Sequence, residues 1–475
     1  MKRYNLGDRQ PSRTYASQKM SNRNLYYASS CSYMATVSFG FVIGYSSPAL
    51  PQMTASGGPL DENSASWFGS LATIGGMIGC PLAGWLVERA GRKGALMMTA
   101  LPYLVGWSMI MVCGDIGMLC LGRMLTGLGC GMATVCCPMY VAETSTKELR
   151  GMLGSGVQLS ITAGILLVYV AGMAVGWRSL AFIAFCIPLC ALVMTLKLTD
   201  TPRYYLARGR KQEAVRALSW LRGVGADVED ECRDMEESLD ADAEQVSWRD
   251  FCKQELYLPL RVSIGLMIFQ QLSGINVVMF YTVSIFQSAG YKESGNLATV
   301  AVGAVQVVGT LVACAFMDRA GRRLLLFISG LGMTLTCFTM GYYYHQMQLS
   351  PATASNLSWL ALASLIVYVV AFSVGWGPIP MLIMSEIFPV KARGSATAVA
   401  SVSNWCFAFF VTKEFSTLQS MLGQHGVFWL YSFCCALGMA FVWRLVPETK
   451  GKSLEDIELY FLGKAIMNRK VTVNI

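Results

Sequence analysis

The charged turn ERAGRKG, residues 88–94, lies between two apolar runs, and a similar turn, DRAGRRL at residues 318–324, lies between two others. A bias of inner loops toward basic residues would explain the shared Arg and Lys, but not Gly91 and Gly321 between them. Glycine adopts backbone conformations that permit a tight turn, so its repeated position indicates a common structure. The chain is therefore interpreted as one structural unit present twice.

Two further landmarks recur in the same order along the chain. The first landmark is a glutamate followed by an Arg-Gly pair, and the spacing between them is equal in the two halves. The second is an acid and a threonine that lie next to a proline. Acids at these places offer partners for the arginines, so each half of the chain has the same means of fixing its turns. The recurring pairs are Glu143 to Arg150-Gly151 with Glu386 to Arg393-Gly394, and Asp200-Thr201 with Glu448-Thr449.

The composition is that of an integral membrane protein. Of 475 residues, 54% are hydrophobic and 14% are charged, whereas a soluble domain is about 25% charged. Backbone groups in a bilayer find no water, so each helical crossing needs about 20 mainly apolar residues. The apolar runs predict twelve spans, at residues 29–50, 66–87, 95–113, 117–141, 153–176, 179–198, 260–288, 297–317, 324–345, 359–384, 395–413 and 426–446.

Loop charge predicts the orientation of these spans. Lys and Arg gather in short loops on the cytoplasmic side, and the loops after even-numbered spans hold the basic clusters around Arg92, Arg150, Arg322 and Arg393. Both termini are therefore predicted to be cytoplasmic. The sequon at Asn356 then falls in an outer loop, which makes it a candidate glycosylation site.

The predicted fold class is an all-α membrane protein with twelve transmembrane helices in two pseudo-symmetric six-helix bundles and a small cytoplasmic helical segment. The expected domains are a cytoplasmic tail at 1–28, a first bundle at 29–198, a cytoplasmic linker at 199–259, a second bundle at 260–446 and a cytoplasmic tail at 447–475.

The same sequence argues against other classes of protein. The net charge of +8 fits inner loops facing anionic lipid, so no nucleic-acid partner is predicted. The 16 cysteines mostly lie in apolar runs without paired spacing, which indicates neither disulfides nor a metal site. His345 and His425 are far apart in sequence and are not expected to bind metal. No HExxH, GxSxG or Walker pattern occurs, so we predict neither an enzyme nor a cofactor.

The ordered motifs resemble the sugar porters of the major facilitator superfamily over essentially the whole chain, and most closely the animal glucose and trehalose facilitators. The matching segments are RAGRK and RAGRR, GRMLTGLG, PMYVAETS followed by LRG, QQLSGIN, GPIP and PETKGKSLEDIE. The resemblance implies the major facilitator fold, with a sugar site between the bundles near mid-membrane that opens to each side in turn. It implies a small-molecule sugar and the lipid bilayer as partners, and a monomer at the plasma membrane.

Amide and aromatic side chains in the spans are the candidates for sugar binding. A sugar is neutral and rich in hydroxyls, so its site needs groups that both donate and accept hydrogen bonds, together with an aromatic surface. Tyr281 matches an aromatic residue of the family's external gate. The candidate substrate-binding residues are Gln158, Gln270, Gln271, Asn276, Gln306, Met381, Asn404 and Trp405.

Three positions depart from the family's usual residues. Met381 replaces the common Trp after GPIP, Gln306 stands where Asn is frequent, and Ser373 replaces an acid found in many members. A hexose is the first expectation for the substrate and trehalose the second. The proton-coupled members keep an Asp after the Gly-Tyr pair of the first span, where this chain has Ser46. Facilitated diffusion is therefore predicted, with proton symport and a non-transporting receptor as alternatives.

The resemblance also implies a cytoplasmic gate whose arginines and acids pair between the halves when the inner side is closed. Exposed ion pairs contribute about 0–1 kcal/mol each, so such a gate can open in every cycle. Arg123, inside a span, is expected to reach the interface or find a partner, in a structural role. The expected gate residues are Arg89, Arg92, Glu143, Arg150, Arg203, Asp318, Arg322, Arg323, Glu386 and Arg393.

Overall fold

The computed structural model describes most of the chain. Its described residues are 22–55, 58–146, 149–223, 228–241, 254–288, 295–350, 357–388, 390–450, 452, 456–457, 459–461 and 463. Within them the first half forms α1 (Arg23–Met53), α2 (Glu62–Val112), α3 (Ile116–Thr144), α4 (Arg150–Ala174) and α5 (Trp177–Thr195). The connecting segment forms α6 (Pro202–Ala207), α7 (Lys211–Arg222) and α8 (Glu229–Ala241). The second half forms α9 (Gln254–Leu272), α10 (Ile275–Ser288), α11 (Gly295–Ala320), α12 (Arg322–Leu349), α13 (Ser358–Val374), α14 (Ile379–Ile387), α15 (Val390–Lys413) and α16 (Phe415–Leu445).

Ten helical segments of the described residues are long and apolar enough to cross a membrane. One of them, Asn63–Val112, has 50 residues, about twice the length that a single crossing needs. It bends at Gly91, where the backbone leaves helical geometry, so it supplies two spans. Helix α1, with 31 residues, is also long enough. The predicted membrane fold is confirmed, and the helices coincide with the twelve predicted spans.

The two repeated turns have the same conformation. Gly91 has a φ of 80° and Gly321 a φ of 91°, values that favour glycine over residues with a side chain. Asp200 accepts a hydrogen bond from the backbone N–H of Arg92 at 2.9 Å, and Glu448 accepts one from the N–H of Arg322 at 3.0 Å. In both halves an acid from the end of the bundle therefore satisfies the first N–H groups of the helix that follows the turn.

A buried arginine helps to anchor the connecting segment to the first half. Arg222, near the end of α7, is 2% exposed and donates to the carbonyl oxygen of Thr144 at 2.9 Å. It also pairs with Glu231 of α8 at 2.6 Å. Because a buried guanidinium needs such partners, Arg222 fixes α7 and α8 against the end of α3.

Helices of each half pack mainly within that half, and three helix pairs make the most extensive contacts between the halves in the described part of the structure. These pairs are α1 with α10, α2 with α15, and α4 with α11. We call the end of the molecule that holds Arg92, Glu143, Arg322 and Glu386 the basic end. The opposite end is the one that holds Ser66 and Lys413. The predicted binding residues lie between these two ends.

Candidate functional site

Four predicted binding residues form a continuous chain of amides at the break between α9 and α10. Asn276 donates to the Gln271 side-chain oxygen at 2.6 Å, and Gln271 donates to the Asn404 oxygen at 3.0 Å. Asn404 in turn donates to the Gln270 oxygen at 2.8 Å. Gln270 donates to the carbonyl oxygen of Trp376 at 2.7 Å. The amides therefore hold one another, and those of Asn276 and Asn404 are only half-buried.

Local backbone geometry brings this chain together. Gly274, with a φ of 86°, separates α9 from α10, and a side chain at this position would meet the ring of Tyr431. The hydroxyl of Tyr368 donates to the carbonyl oxygen of Ser273 at 2.9 Å, which fixes the same break from α13. The break brings Asn276, at the start of α10, back to Gln271 of α9.

The other predicted binding residues make no hydrogen bond to this amide chain among the described residues and have surroundings of their own. Trp405 packs 5.8 Å from Phe39, measured between ring centroids, and its indole lies so close to Gly76 that a Cβ there would approach within 2.6 Å. Gln306 is 4% exposed, and its buried side-chain oxygen has no hydrogen-bond partner among the described residues. Met381 is 39% exposed, and Gln158 is half-buried on α4.

The halves meet closely at the opposite end. Tyr281, where α10 bends, stacks on Phe415 with ring centroids 5.1 Å apart, and its hydroxyl reaches Gly69 of the first half. The Lys413 ammonium lies 4.7 Å from the centre of the Trp67 ring, and the Ser66 hydroxyl donates to the Lys413 carbonyl at 3.1 Å. These contacts join the two halves at the opposite end.

Two further hydrogen bonds join the halves. The Tyr169 hydroxyl of α4 donates to the carbonyl oxygen of Met279 at 2.9 Å. The backbone N–H of Val283 donates to the Ser47 hydroxyl at 3.1 Å. Helix α10 is thus held against both α1 and α4 of the other half.

Arg123 is fully buried, at 0% exposure, and has found partners as expected. It donates to the Ser46 hydroxyl at 2.6 Å and to the Val42 carbonyl at 2.9 Å. Its guanidinium also lies over the rings of Phe68 at 5.4 Å and Phe280 at 5.8 Å. The contact with Phe280 joins the two halves. An arginine inside an apolar span indicates that a partner is needed, but the sequence did not indicate that the partner lies in the other half.

At the basic end, the same ion pair occurs once in each half. Arg92 pairs with Glu143 at 2.9 Å, and Arg322 pairs with Glu386 at 3.3 Å. The Thr201 hydroxyl donates to Glu143 at 2.5 Å. Both pairs join residues of one half, so the pairing between halves expected for a closed inner side stays a prediction.

The remaining residues of the predicted gate have other surroundings. Arg89 lies over the Trp85 ring at 5.6 Å, and Arg323 donates to the carbonyl oxygen of Trp443. Arg150 is exposed at the start of α4, and Arg203 is half-buried in α6. Three of the predicted positions lie outside the described part of the structure: Asn356, and the side chains of Asp318 and Arg393.

The two acids that follow the bundles differ in their titration. Burial raises the pKa of Asp200 above its ordinary 3.8, although the N–H groups of Thr201, Lys93 and Arg92 lower it in part. Burial also acts to raise the pKa of Glu448, but N–H groups of Lys450, Arg322 and Arg323 prevail and bring it below its ordinary 4.5. Each acid holds its turn mainly as an acceptor for backbone donors.

The arrangement suits a neutral ligand with several hydroxyl groups. Amides donate and accept, an indole offers a surface for C–H groups, and the side chains of the amide chain carry no charge. Among the described residues, no group of three or more His, Cys, Asp and Glu side chains could hold a metal ion.

Comparisons with known proteins all find similarity to sugar transporters. The family described as "Sugar (and other) transporter" matches residues 23–461. "Solute carrier family 2, facilitated glucose transporter member 8" of Mus musculus is 42% identical over 461 residues, covering 93% of this chain and 95% of its own. "Facilitated trehalose transporter Tret1" of Polypedilum vanderplanki is 42% identical over 437 residues, covering 91% of this chain and 86% of its own.

Solved structures show the same architecture. The proton:xylose symporter XylE bound to 6-bromo-6-deoxy-D-glucose superposes with a TM-score of 0.78 at 26% identity, covering 93% of this chain and 100% of that one. The inward open conformation of XylE from E. coli gives a TM-score of 0.77 at 26% identity, covering 92% of this chain and 99% of that one. The predicted resemblance is confirmed.

Proposed function

Because the chain belongs to the sugar transporter family of the major facilitator superfamily, we propose that it carries a hexose such as glucose, or the disaccharide trehalose, by facilitated diffusion. The amide chain from Asn276 through Gln271 and Asn404 to Gln270 is the observation that carries this proposal. It presents donors and acceptors without charge, as a sugar requires.

The magnitudes fit a carrier. Each hydrogen bond to the sugar contributes about 1 kcal/mol net, and ordering the ligand offsets part of the sum. A binding free energy near 4 kcal/mol corresponds to a millimolar dissociation constant. Binding of this strength lets the sugar leave once the site opens to the other side.

The surroundings of Arg123 support transport without protons. Arg123 contacts the Ser46 hydroxyl, the Val42 carbonyl and aromatic rings, and these groups are neutral in the ordinary pH range. A proton-coupled cycle needs a group that gains and loses a proton as the site changes sides. Serine does not titrate in that range, so uniport is favoured over symport.

A hexose is the first choice of substrate because the named relatives include a facilitated glucose transporter. Trehalose is second, from the relative named as a trehalose transporter. Met381 is included in the site through the family resemblance, and a flexible methionine there would accommodate a larger ring system than a tryptophan would.

Closure of the opposite end supports alternating access, with the site reaching one side at a time. Loop charge favours cytoplasmic termini and an outward-facing opposite end. We place the protein in the plasma membrane as a monomer, with bundles at 29–198 and 260–446 joined by the linker at 199–259. Arg92, Glu143, Arg322 and Glu386 would re-pair between the halves when the basic end closes.

The test is uptake of labelled glucose, trehalose and sorbitol into proteoliposomes that contain the purified protein. Gln270→Ala removes the last residue of the amide chain. Gln419→Ala, near the start of α16 at the opposite end of the molecule, serves as the matched control. We expect saturable uptake of glucose or trehalose, strongly reduced in Gln270→Ala and retained in Gln419→Ala. Absence of saturable sugar uptake by a protein that elutes as a single folded species would contradict the proposal and favour the receptor alternative.

A further inference from the structure

The two histidines of the chain meet in the fold. His345 lies on α12 and His425 on α16, and these are the 2 histidines of the sequence. Their ring centroids are 5.3 Å apart, with an angle of 49° between the ring planes. Their separation along the chain did not indicate this contact, because it depends on α12 packing along α16.

A tryptophan and two glycines hold the pair in place. The Trp429 ring centroid lies 5.5 Å from that of His345 and 5.3 Å from that of His425. Gly341 lets the indole approach α12, since a Cβ there would come within 2.4 Å of Trp429. Gly423, with a φ of 69°, bends the chain just before His425.

Both imidazoles have a buried nitrogen without a protein partner. The Nδ1 atoms of His345 and His425 are buried and make no hydrogen bond among the described residues. Leaving one such polar atom unpaired ordinarily disfavours the folded state, and native proteins generally satisfy buried polar atoms. Two unpaired ring nitrogens in one contact cluster, beside the likewise unpaired indole N–H of Trp429, can therefore take a shared ligand.

We propose that His345 and His425 together bind a divalent transition-metal ion of the imidazole-preferring class, Zn²⁺ or Cu²⁺. A metal at about 2.0–2.1 Å from a ring nitrogen lies about 3 Å from the ring centre. Two imidazoles on one tetrahedral ion therefore have centroids about 5 Å apart, as this pair does. The ligating atoms are the two unpaired Nδ1 atoms, each of which carries no proton in one of the two neutral tautomers of its ring.

Two imidazoles are fewer protein ligands than a closed structural zinc site has. Water completes the coordination. The ion is therefore exchangeable. It ties α12 to α16 within the second half and crosses no contact between the halves, so it stabilises that half and leaves sugar transport unchanged.

The experiment uses full-length protein purified through a tag that lacks histidine. Thermal unfolding is followed while ZnCl₂ is added to the wild type, His345→Ala, His425→Ala and the neighbouring control Gln346→Ala. We expect Zn²⁺ to raise the unfolding temperature of the wild type and of Gln346→Ala. Each histidine variant should weaken the apparent affinity at least about tenfold, the loss typical even of supporting residues. An equal response in all four proteins overturns the proposal and assigns the binding to side chains other than these histidines.

A second measurement needs no variant and remains decisive if a variant fails to fold. Cu²⁺ is added to the wild type, and pulsed electron paramagnetic resonance counts the imidazole nitrogens coupled to the copper. Because the chain has 2 histidines, a signal from two imidazoles can come only from this pair. A spectrum with one imidazole or none contradicts the site.

Discussion

The Ser46 hydroxyl accepts a hydrogen bond of 2.6 Å from the guanidinium of Arg123, and both residues are fully buried. A buried positive charge is ordinarily matched by an acid. Here the partners at hand are a hydroxyl, a carbonyl and aromatic rings, so the charge stays at one place without a proton-binding neighbour. The pair gives a direct way to test whether the transport cycle involves protons.

Replacing Ser46 should change how transport depends on pH. Ser46→Asp sets a titratable carboxylate beside the Arg123 charge, so we expect sugar uptake to become dependent on pH. Ser46→Ala removes one hydrogen bond but adds no titratable group, and its uptake should vary with pH as little as that of the wild type. Initial uptake rates from about pH 4 to pH 8 check this, because burial raises the pKa of such a carboxylate whereas the Arg123 charge lowers it. Transport by Ser46→Asp that does not depend on pH would be the contrary result.

Asn404 occupies the middle of the amide chain and should matter more than Asn276 at its end. Asn404→Ala removes a partner of Gln271 and of Gln270 at once, whereas Asn276→Ala leaves one acceptor unpaired. Loss of about 1–1.5 kcal/mol per hydrogen bond corresponds to a roughly tenfold weaker affinity. The Michaelis constants for the sugar should therefore rise further in Asn404→Ala, and equal values in both variants would argue against this order.

The contact of Lys413 with Trp67 should help to hold the opposite end closed. A cation over an indole contributes about 0.5–1 kcal/mol at a partly exposed site, so Lys413→Met should raise hydrogen exchange of backbone amides near residues 62–70. Lys452→Met provides the control, because Lys452 lies over Tyr460 and both residues belong to the C-terminal tail. Unchanged exchange in Lys413→Met, measured by mass spectrometry, would show that the contact contributes nothing to closure.

Alanine at the two repeated turns should destabilise the protein by unequal amounts. At Gly91 a Cβ would lie 2.0 Å from the Asp200 carboxylate, whereas at Gly321 it would lie 3.0 Å from that of Glu448. Both turns have positive φ, which costs about 1–3 kcal/mol for other residues. The unfolding temperature of Gly91→Ala should therefore be lower than that of Gly321→Ala. Gly154→Ala, where a Cβ meets nothing within 4 Å, should lose no stability.

Asp200 and Glu448 should give opposite dependences of stability on pH. The folded pKa of Glu448 lies below its ordinary 4.5, so its stabilising effect is present above about pH 4.5 and is lost as the pH falls through the folded value. The folded pKa of Asp200 is raised, so its contribution grows as the pH falls. The stability advantage of the wild type over Glu448→Gln should shrink on acidification, while that over Asp200→Asn should increase. Unfolding temperatures from about pH 7 to pH 4 measure both, and parallel trends would contradict the assignment.

The sequence predicted the architecture well because the signals were local. Apolar runs of spanning length and a repeated glycine between basic residues need no tertiary information, and Gly91 and Gly321 do adopt the same positive φ. The amides of QQLSGIN were recognised from the family pattern. Their joining into one chain depends on the Gly274 break and on Asn404 from a distant helix, which periodicity does not reveal.

Contacts between distant helices were beyond the sequence. Arg123 meets Phe280 of the other half, Lys413 meets Trp67, and His345 meets His425, each through packing that depends on the whole fold. A lone charged residue in an apolar span or loop indicates that a partner is needed. It does not identify which distant helix supplies that partner.

The measurement that tests facilitated diffusion most directly is sugar uptake into proteoliposomes with and without an inward proton gradient, followed until it is complete. Facilitated diffusion predicts that the internal sugar concentration levels off at the external one, and that the gradient changes neither this level nor the initial rate. Accumulation above the external concentration that depends on the gradient would contradict uniport and establish proton coupling despite Ser46.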